Sequence, residues 1–342
     1  MIIRLTLMER FLHRLHLLPT PIMDAFGNVV FGRALAIAVR RGLFEDLATT
    51  PGSAAELAAA TNLDRNATEL LLQSFIAGGY LKSDGGRYRL TGESRRWLLK
   101  GSPSYLGNLI RYFETLHARW GYLEQSLERG SPPQRYFDMF SDDDWKVYVL
   151  AMQDLARVLV PRVIRNVSLA DRPEQLLDLG GSHGLYAVEC CRRYPTLTAT
   201  IVDLPGALQY AHQVIHEEGM SERVRLLPGD FSQIDLPGIQ DCVLMFNVIH
   251  GFSEETNREI MCRVLNVLKP GGRLYILDQM REERGKTGLS HFMPLMVGLN
   301  LLNEIGGNTY SLNQVQGWCE GAARVKRIRL HLPGVCLVEV TR

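Results

Sequence analysis

The sequence predicts a doubly wound α/β domain that ends in an antiparallel strand and follows an all-α region carrying a small wing. Three observations carry this. From residue 173 onward, short apolar runs alternate with helix-like segments, the texture of a parallel sheet with crossover helices. The last two runs, "VKRIRLHL" and "VCLVEVTR", flank Pro333-Gly334 with no room for a crossover helix, and so tight a connection forces antiparallel pairing. Before residue 173 helical spacing prevails, broken once by alternating segments around Asp84-Gly85-Gly86.

Each element has a local reason. In "MIIRLTLMERFLHRLHLLPTPI", Arg4, Arg10, His13, Arg14 and His16 interrupt every apolar run, and no small-residue cleavage site follows. This reads as a basic amphipathic helix that packs on a partner subunit. No stretch approaches the ~18–20 apolar residues of a membrane span, so no transmembrane segment and a cytoplasmic location are expected. "VVFGRALAIAVRRGLFEDL" is helical and stops near Gly42. Ser53 with Glu56 forms a capping-box pattern, and Asp64 caps "RNATELLLQSFIAGGYL". "LKSDGGRYRLT" then reads as a hairpin. Helix, helix and hairpin make a winged-helix pattern. The would-be recognition helix carries Asp64, Arg65, Asn66, Thr68 and Glu69, a poor set for phosphate neutralisation, so subunit packing is preferred to DNA binding.

"NLIRYFETLHARWGYLEQSLERG" reads as one long helix ending at Gly130, and "DDDWKVYVLAMQDLARVLVPRVIRNV" as another with acids at its N-terminal end. Pro132-Pro133 separates them. The strands follow at "QLLDLG", "TATIVDL", "RVRLLPG", "DCVLMFN" and "GRLYILDQ". The expected domains are 1–100, 101–172 and 173–342. A formal net charge of +1 argues against nucleic-acid and anionic-membrane partners. The six cysteines show no metal-binding spacing and read as reduced core thiols.

The turn "DLGGSHG" suits a polar ligand at a helix N-terminus. It is not a dinucleotide turn, because Ser182 stands where G-x-G-x-x-G needs its second glycine. Asp178 would repel a pyrophosphate but can accept a hydrogen bond from an ammonium group. Asp203 ends the second strand, where a carboxylate can take ribose hydroxyls. Asp230-Phe231 ends the third, where an acid can accept from an adenine amino group and a ring can lie against the base. Ribose, adenine and an amino acid together describe S-adenosylmethionine.

The segment 176–280 resembles the S-adenosylmethionine-dependent small-molecule O-methyltransferases of plant caffeate type and bacterial antibiotic-tailoring type. "DLGGSHG", "DLP" at Asp203 to Pro205, "GDF" at Gly229 to Phe231 and "LKPGG" at Leu268 to Gly272 carry the likeness, with Trp120, Leu123 and Ala151-Met152 extending it toward the N-terminus. The resemblance implies a Rossmann-like class I methyltransferase domain behind a winged-helix dimerisation domain, hence a homodimer. Its cofactor set is Asp178, Gly180, Gly181, Gly184, Asp203, Leu204, Asp230, Phe231, Asn247 and Phe252. Its base position is His250 in "HGF", where the family has His-Asp-Trp, and Asp278 stands at the position of an orienting acid. A second family acid falls at Thr309; Glu304 lies nearby at a different spacing. A narrower likeness, through "GLSHFM", is to the bacteriochlorophyll ring C-methyltransferase branch and makes His291 a second catalytic candidate. Met139, Trp145, Tyr148, Met152, Met293 and Met296 are candidates for the pocket of an aromatic or polycyclic acceptor. Carbon or nitrogen methylation is the alternative chemistry; a winged-helix regulator with a vestigial nucleotide site is the alternative class.

Overall fold

In the computed structural model, which describes residues 6–282 and 287–342, the chain divides into two units between Leu116 and His117. Helix α1 (Leu7–Arg14) starts at a reciprocal cap between Thr6 and Glu9 and buries none of its residues; Arg4 lies outside the described residues. Next come α2 (Thr20–Ile22), a π turn at Met23–Gly27 and α3 (Asn28–Arg40). These join into one helical stretch, Thr20–Arg40, long and apolar enough to cross a membrane by length and composition, with little of it buried. That corrects the expectation that no such stretch exists. The π turn carries the helix through Gly27, so apolar runs that read as separate become continuous.

Gly42 adopts φ 76° and starts α4 (Leu43–Thr49). The cap at Ser53 and Glu56 begins α5 (Ala54–Thr61), and Asp64 accepts from the Ala67 N–H at the start of α6 (Arg65–Ala77). Strands β1 (Leu81–Asp84) and β2 (Arg87–Leu90) form the antiparallel hairpin, and α7 (Gly92–Trp97) follows. Leu43, Phe44, Leu72, Phe75 and Tyr88 form the core of this unit.

The helix expected to run to Gly130 is two helices, α8 (Gly107–Trp120) and α9 (Leu123–Arg129). Gly121 disfavours helix, and the Tyr122 N–H turns back to the Arg119 carbonyl. Helix α10 (Asp142–Val163) begins at Ser141, capped by Asp144, with three aspartates in its first turn against the dipole. Strands and helices then alternate: β3 (Gln175–Leu179), α11 (Leu185–Arg193), β4 (Thr198–Asp203), α12 (Pro205–Leu208), α13 (Ala211–Glu217), β5 (Val224–Pro228), β6 (Gln240–Phe246), α14 (Glu254–Val267), β7 (Leu268–Arg281) and α15 (Leu289–Ile305). The two-residue strand β8 (Tyr310–Ser311), α16 (Leu312–Trp318), β9 (Arg324–Ile328) and β10 (Val335–Thr341) complete the order.

The sheet runs β5-β4-β3-β6-β7-β10-β9, and β8 pairs in parallel with the end of β7 at Met280 and Arg281. Strands β3 to β7 are parallel, while β10 is antiparallel to both β7 and β9. Adjacent residues of one strand feed opposite cores: Leu176 packs with α10, α11 and α13, and Leu177 with α14 and α16. The chain leaves β3 toward β4 and β5, then returns to β3's other side with β6. This reversal opens a crevice at the carboxyl ends of β3 and β6. Among the cysteines, Cys262 is exposed on α14, which corrects its reading as a core thiol; the other five are buried and all six are free.

Candidate active site

The glycine turn fills that crevice. Gly180 adopts φ 72°, and a Cβ there would lie 2.6 Å from Val248 Cγ2. At Gly181 a Cβ would meet the Asp178 carboxylate at 2.6 Å, so side chains on either residue would fill the cradle. Gly184 adopts φ 77° and begins α11. Asp178 is buried, and neither carboxylate oxygen has a hydrogen-bond partner among the described residues. Burial, and then the Asp203 charge, push its pKa up to about 8. A buried acid with both oxygens open to a donor suits a cationic ligand group.

Asp203 accepts from the Ser182 N–H at 2.9 Å and the Leu204 N–H at 2.7 Å. Burial raises its pKa to about 6, these hydrogen bonds opposing, with the Asp230 charge adding to the rise. Asp230 is exposed and holds Ser232 through its N–H and Oγ. Phe231 meets Phe252 edge to face at 5.5 Å. Leu204 is 36% exposed on the lip. Asn247, at φ 56°, donates its N–H to the Leu277 carbonyl and so ties the end of β6 to β7.

His183 is buried, and its Nδ1 accepts from Leu185 N–H, the first amide of α11. Burial, with the Arg157 charge, pulls its pKa down to about 3, so the ring is a neutral helix-start acceptor.

His250 lies in a single helical turn after β6. Its Nδ1 is 2.6 Å from Asp278 Oδ1, and the acid has no exposed side-chain surface. Gln279 N–H also donates to Asp278 Oδ1 at 2.7 Å. Burial is the largest influence on His250 and lowers its pKa, but the charge and hydrogen bond of Asp278, joined by the Glu304 charge, outweigh it and raise it overall. With Nδ1–H given to Asp278, Nε2 is the basic nitrogen.

Trp145 and Tyr148 come together with Phe137 and Phe140, two residues the sequence reading missed although "YFDMF" is dense in rings. Burial raises the Tyr148 pKa, with the charges of Asp203 and Glu304 adding, so the phenol stays neutral. Trp145 lies on Gly206, where a Cβ would be 2.3 Å from its Nε1. Met139, Met293 and Met296 are exposed, and Met139 Sδ accepts from Arg119. Met152 is half-buried on α10. His291 lies in the first turn of α15, where its Nδ1 is buried without a partner among the described residues.

Asp178, Asp203 and Asp230 thus border the crevice at successive strand ends, with His250 on the turn after β6 held against Asp278 of β7, the layout of a nucleotide-binding α/β protein. Residues 131–318 match the O-methyltransferase domain family, and the chain belongs to that family. It is 26% identical to a 3-hydroxy-5-methyl-1-naphthoate 3-O-methyltransferase of Streptomyces sahachiroi over 92% of this chain and 93% of that protein. It is 27% identical to the N,N-dimethyltransferase OxyT of Streptomyces rimosus over 75% of this chain and 76% of that one. The fold matches human N-acetylserotonin methyltransferase, solved in complex with SAM, with a TM-score of 0.82 at 22% identity over 94% of this chain and 97% of that chain.

Proposed function

We propose that this chain moves a methyl group from S-adenosylmethionine to a hydroxyl of an aromatic or polycyclic small molecule, with His250 as general base. The carrying observation is the 2.6 Å His250–Asp278 hydrogen bond at the crevice that also holds the glycine turn. The unpartnered Asp178 oxygens and the side-chain-free cradle at Gly180 and Gly181 fit the cofactor's amino-acid end. Asp203 would take its ribose, Asp230 its adenine amino group, and Phe231 and Phe252 the ring faces. S-adenosylmethionine supplies an electrophilic methyl group. His250 Nε2 accepts the acceptor's hydroxyl proton, while Asp278 fixes the tautomer and balances the imidazolium charge. The ring cluster Phe137, Phe140, Trp145 and Tyr148 suits an aromatic acceptor, as do the naphthoate and serotonin derivatives in the relatives' names.

Gly251-Phe252 after the base and Thr309 at the second acid's place favour a second reading, transfer to ring carbon or nitrogen. This includes the bacteriochlorophyll-type chemistry in which His291 would take part. A carbon-13-labelled methyl donor decides between them, because the product's methyl shift distinguishes oxygen, nitrogen and carbon. His250→Ala lowers kcat ~100-fold or more with cofactor affinity retained if the base reading is right; full activity refutes it.

The first unit is read as a winged-helix dimerisation domain of a cytoplasmic homodimer. Leu7, Met8, Phe11, Leu15 and Phe26 are exposed there, an apolar face suited to a second copy. DNA is disfavoured as a partner, since Asp64 caps α6, Glu69 accepts from Tyr88, and Arg65 is that helix's single basic residue. Salt-dependent tight DNA binding would reverse this.

A further inference from the structure

Ser182 breaks two local rules at once. Three residues of the glycine turn adopt positive φ: Gly180 at 72°, Gly184 at 77° and Ser182 at 39°. The first two have no Cβ, whereas a serine held in the left-handed region is strained. The residue is also only 7% exposed, and its Oγ is buried without a hydrogen-bond partner among the described residues. A buried hydroxyl that bonds to nothing destabilises the fold, so both features act against stability. Such a conflict points to a side chain that serves a ligand.

Four amides of the turn are already committed. Gly180 N–H donates to the Val202 carbonyl and Gly184 N–H to the Gly181 carbonyl, each at 2.8 Å. Ser182 N–H donates to Asp203 Oδ2 at 2.9 Å, which pins the residue between the ends of β3 and β4. Leu185 N–H, the first amide of α11, donates to His183 Nδ1 at 3.1 Å. The amides that would ordinarily meet an anion at a helix N-terminus are thus partly spent inside the turn. Ser182 carries the only hydroxyl between Asp178 and Leu185, and that hydroxyl is an unspent donor. Asp178 is the matching unspent acceptor, since both its oxygens lack a partner among the described residues.

We propose that the Ser182 hydroxyl donates to the α-carboxylate of S-adenosylmethionine, while Asp178 accepts from its ammonium group. An amino-acid end carries both charges on one carbon, so a donor and an acceptor on one turn suit it together. The proposal deepens the cofactor reading and rests on it. A glycine at this position would remove the strain and the orphaned hydroxyl, and with them the bond. Serine gives up stability in the cofactor-free protein for a charge-assisted hydrogen bond in the complex.

The test uses the full chain with Ser182→Ala, which keeps the backbone strain and deletes the hydroxyl, and with Ser182→Gly, which removes both. Calorimetry measures the binding of S-adenosylhomocysteine and of its decarboxylated analogue, which keeps the amine and lacks the carboxylate. Ser182→Ala weakens S-adenosylhomocysteine binding ~10-fold or more, as the loss of a hydrogen bond to a charged group does. The same variant binds the decarboxylated analogue as wild type does. Equal losses for the two ligands, or no loss for either, overturn the proposal. The cofactor-free Tm rises in Ser182→Ala and further in Ser182→Gly, as first the orphaned hydroxyl and then the strain is relieved. A lower Tm in both variants means that the hydroxyl has a protein partner, and it overturns the proposal too. Failure of the wild-type chain to bind S-adenosylhomocysteine refutes the cofactor reading instead, before any variant is compared.

Discussion

Replacing Asp278 with asparagine keeps the side chain's shape and removes its charge. The amide oxygen can still accept from Gln279 N–H and from His250 Nδ1–H, the two bonds that Oδ1 now accepts at 2.7 and 2.6 Å. What goes is the counter-charge beside the imidazolium. An opposite charge at such range is worth ~1–3 pKa units, hence ~1.4–4 kcal/mol and a ~10–10³-fold loss in kcat. The amide's NH2 would occupy the place of Oδ2, which is buried and without a partner, so stability falls a further ~1–3 kcal/mol. Turnover across pH at saturating cofactor measures the first effect and thermal unfolding the second. If His250 is the base proposed above, it acts when neutral and its pKa is raised, so wild-type kcat falls as pH drops through that raised value. The same shift stabilises the fold fully below the ordinary histidine value and is lost as pH rises through the folded one. In Asp278→Asn the acidic limb moves to lower pH and that stability slope flattens. Unchanged kcat with an unmoved limb would refute the charge argument.

Two further outcomes follow from the crevice. Asp178 folds at about 8 against an ordinary carboxylate value of 3.8, so the ligand-free native state keeps a proton the unfolded chain has lost, and its stability declines as pH rises across that interval. Asp178→Asn therefore raises the ligand-free Tm at alkaline pH and weakens S-adenosylmethionine binding; thermal scans and calorimetry check this, and an unchanged alkaline Tm sinks the assignment. Gly206→Ala drives a methyl into Trp145 at 2.3 Å. It costs ~1–3 kcal/mol as overpacking and raises the KM of both substrates, whereas adding Trp145→Phe restores them; if the second change does not help, the contact is not the cause.

Local signals in the sequence were direct. Glycines before an apolar helix, an acid at each strand end and Pro333-Gly334 before the last strand depend on neighbours in the chain, and the turn, the crevice acids and the antiparallel β10 follow from them. His250 and Asp278 were legible only through the family resemblance, since the bond between them spans 28 residues. Less legible were features set by distant partners. Trp120 Nε1 donates to Asn300 Oδ1 across 180 residues of sequence, and nothing near either residue announces the bond. His183 has no role legible in the sequence, and an amide two residues on settles it. The break at Gly121 and the continuity through Met23–Gly27 are decided by single backbone turns that periodicity averages away.

The position of β10 bears on how the enzyme is made. In register, Cys336 pairs with Asp278, and β10 separates β7 from β9. The strand that seats the acid thus completes its pairing with a segment synthesised after it. Until then β7 has an open edge, and Asp278 cannot be held against His250 by a finished sheet. The His250–Asp278 pair is therefore fixed in place only after the glycine turn and its carboxylates have been synthesised. A nascent chain can acquire a nucleotide crevice before it acquires chemistry, and a tag that unpairs β10 would leave binding standing while turnover is lost.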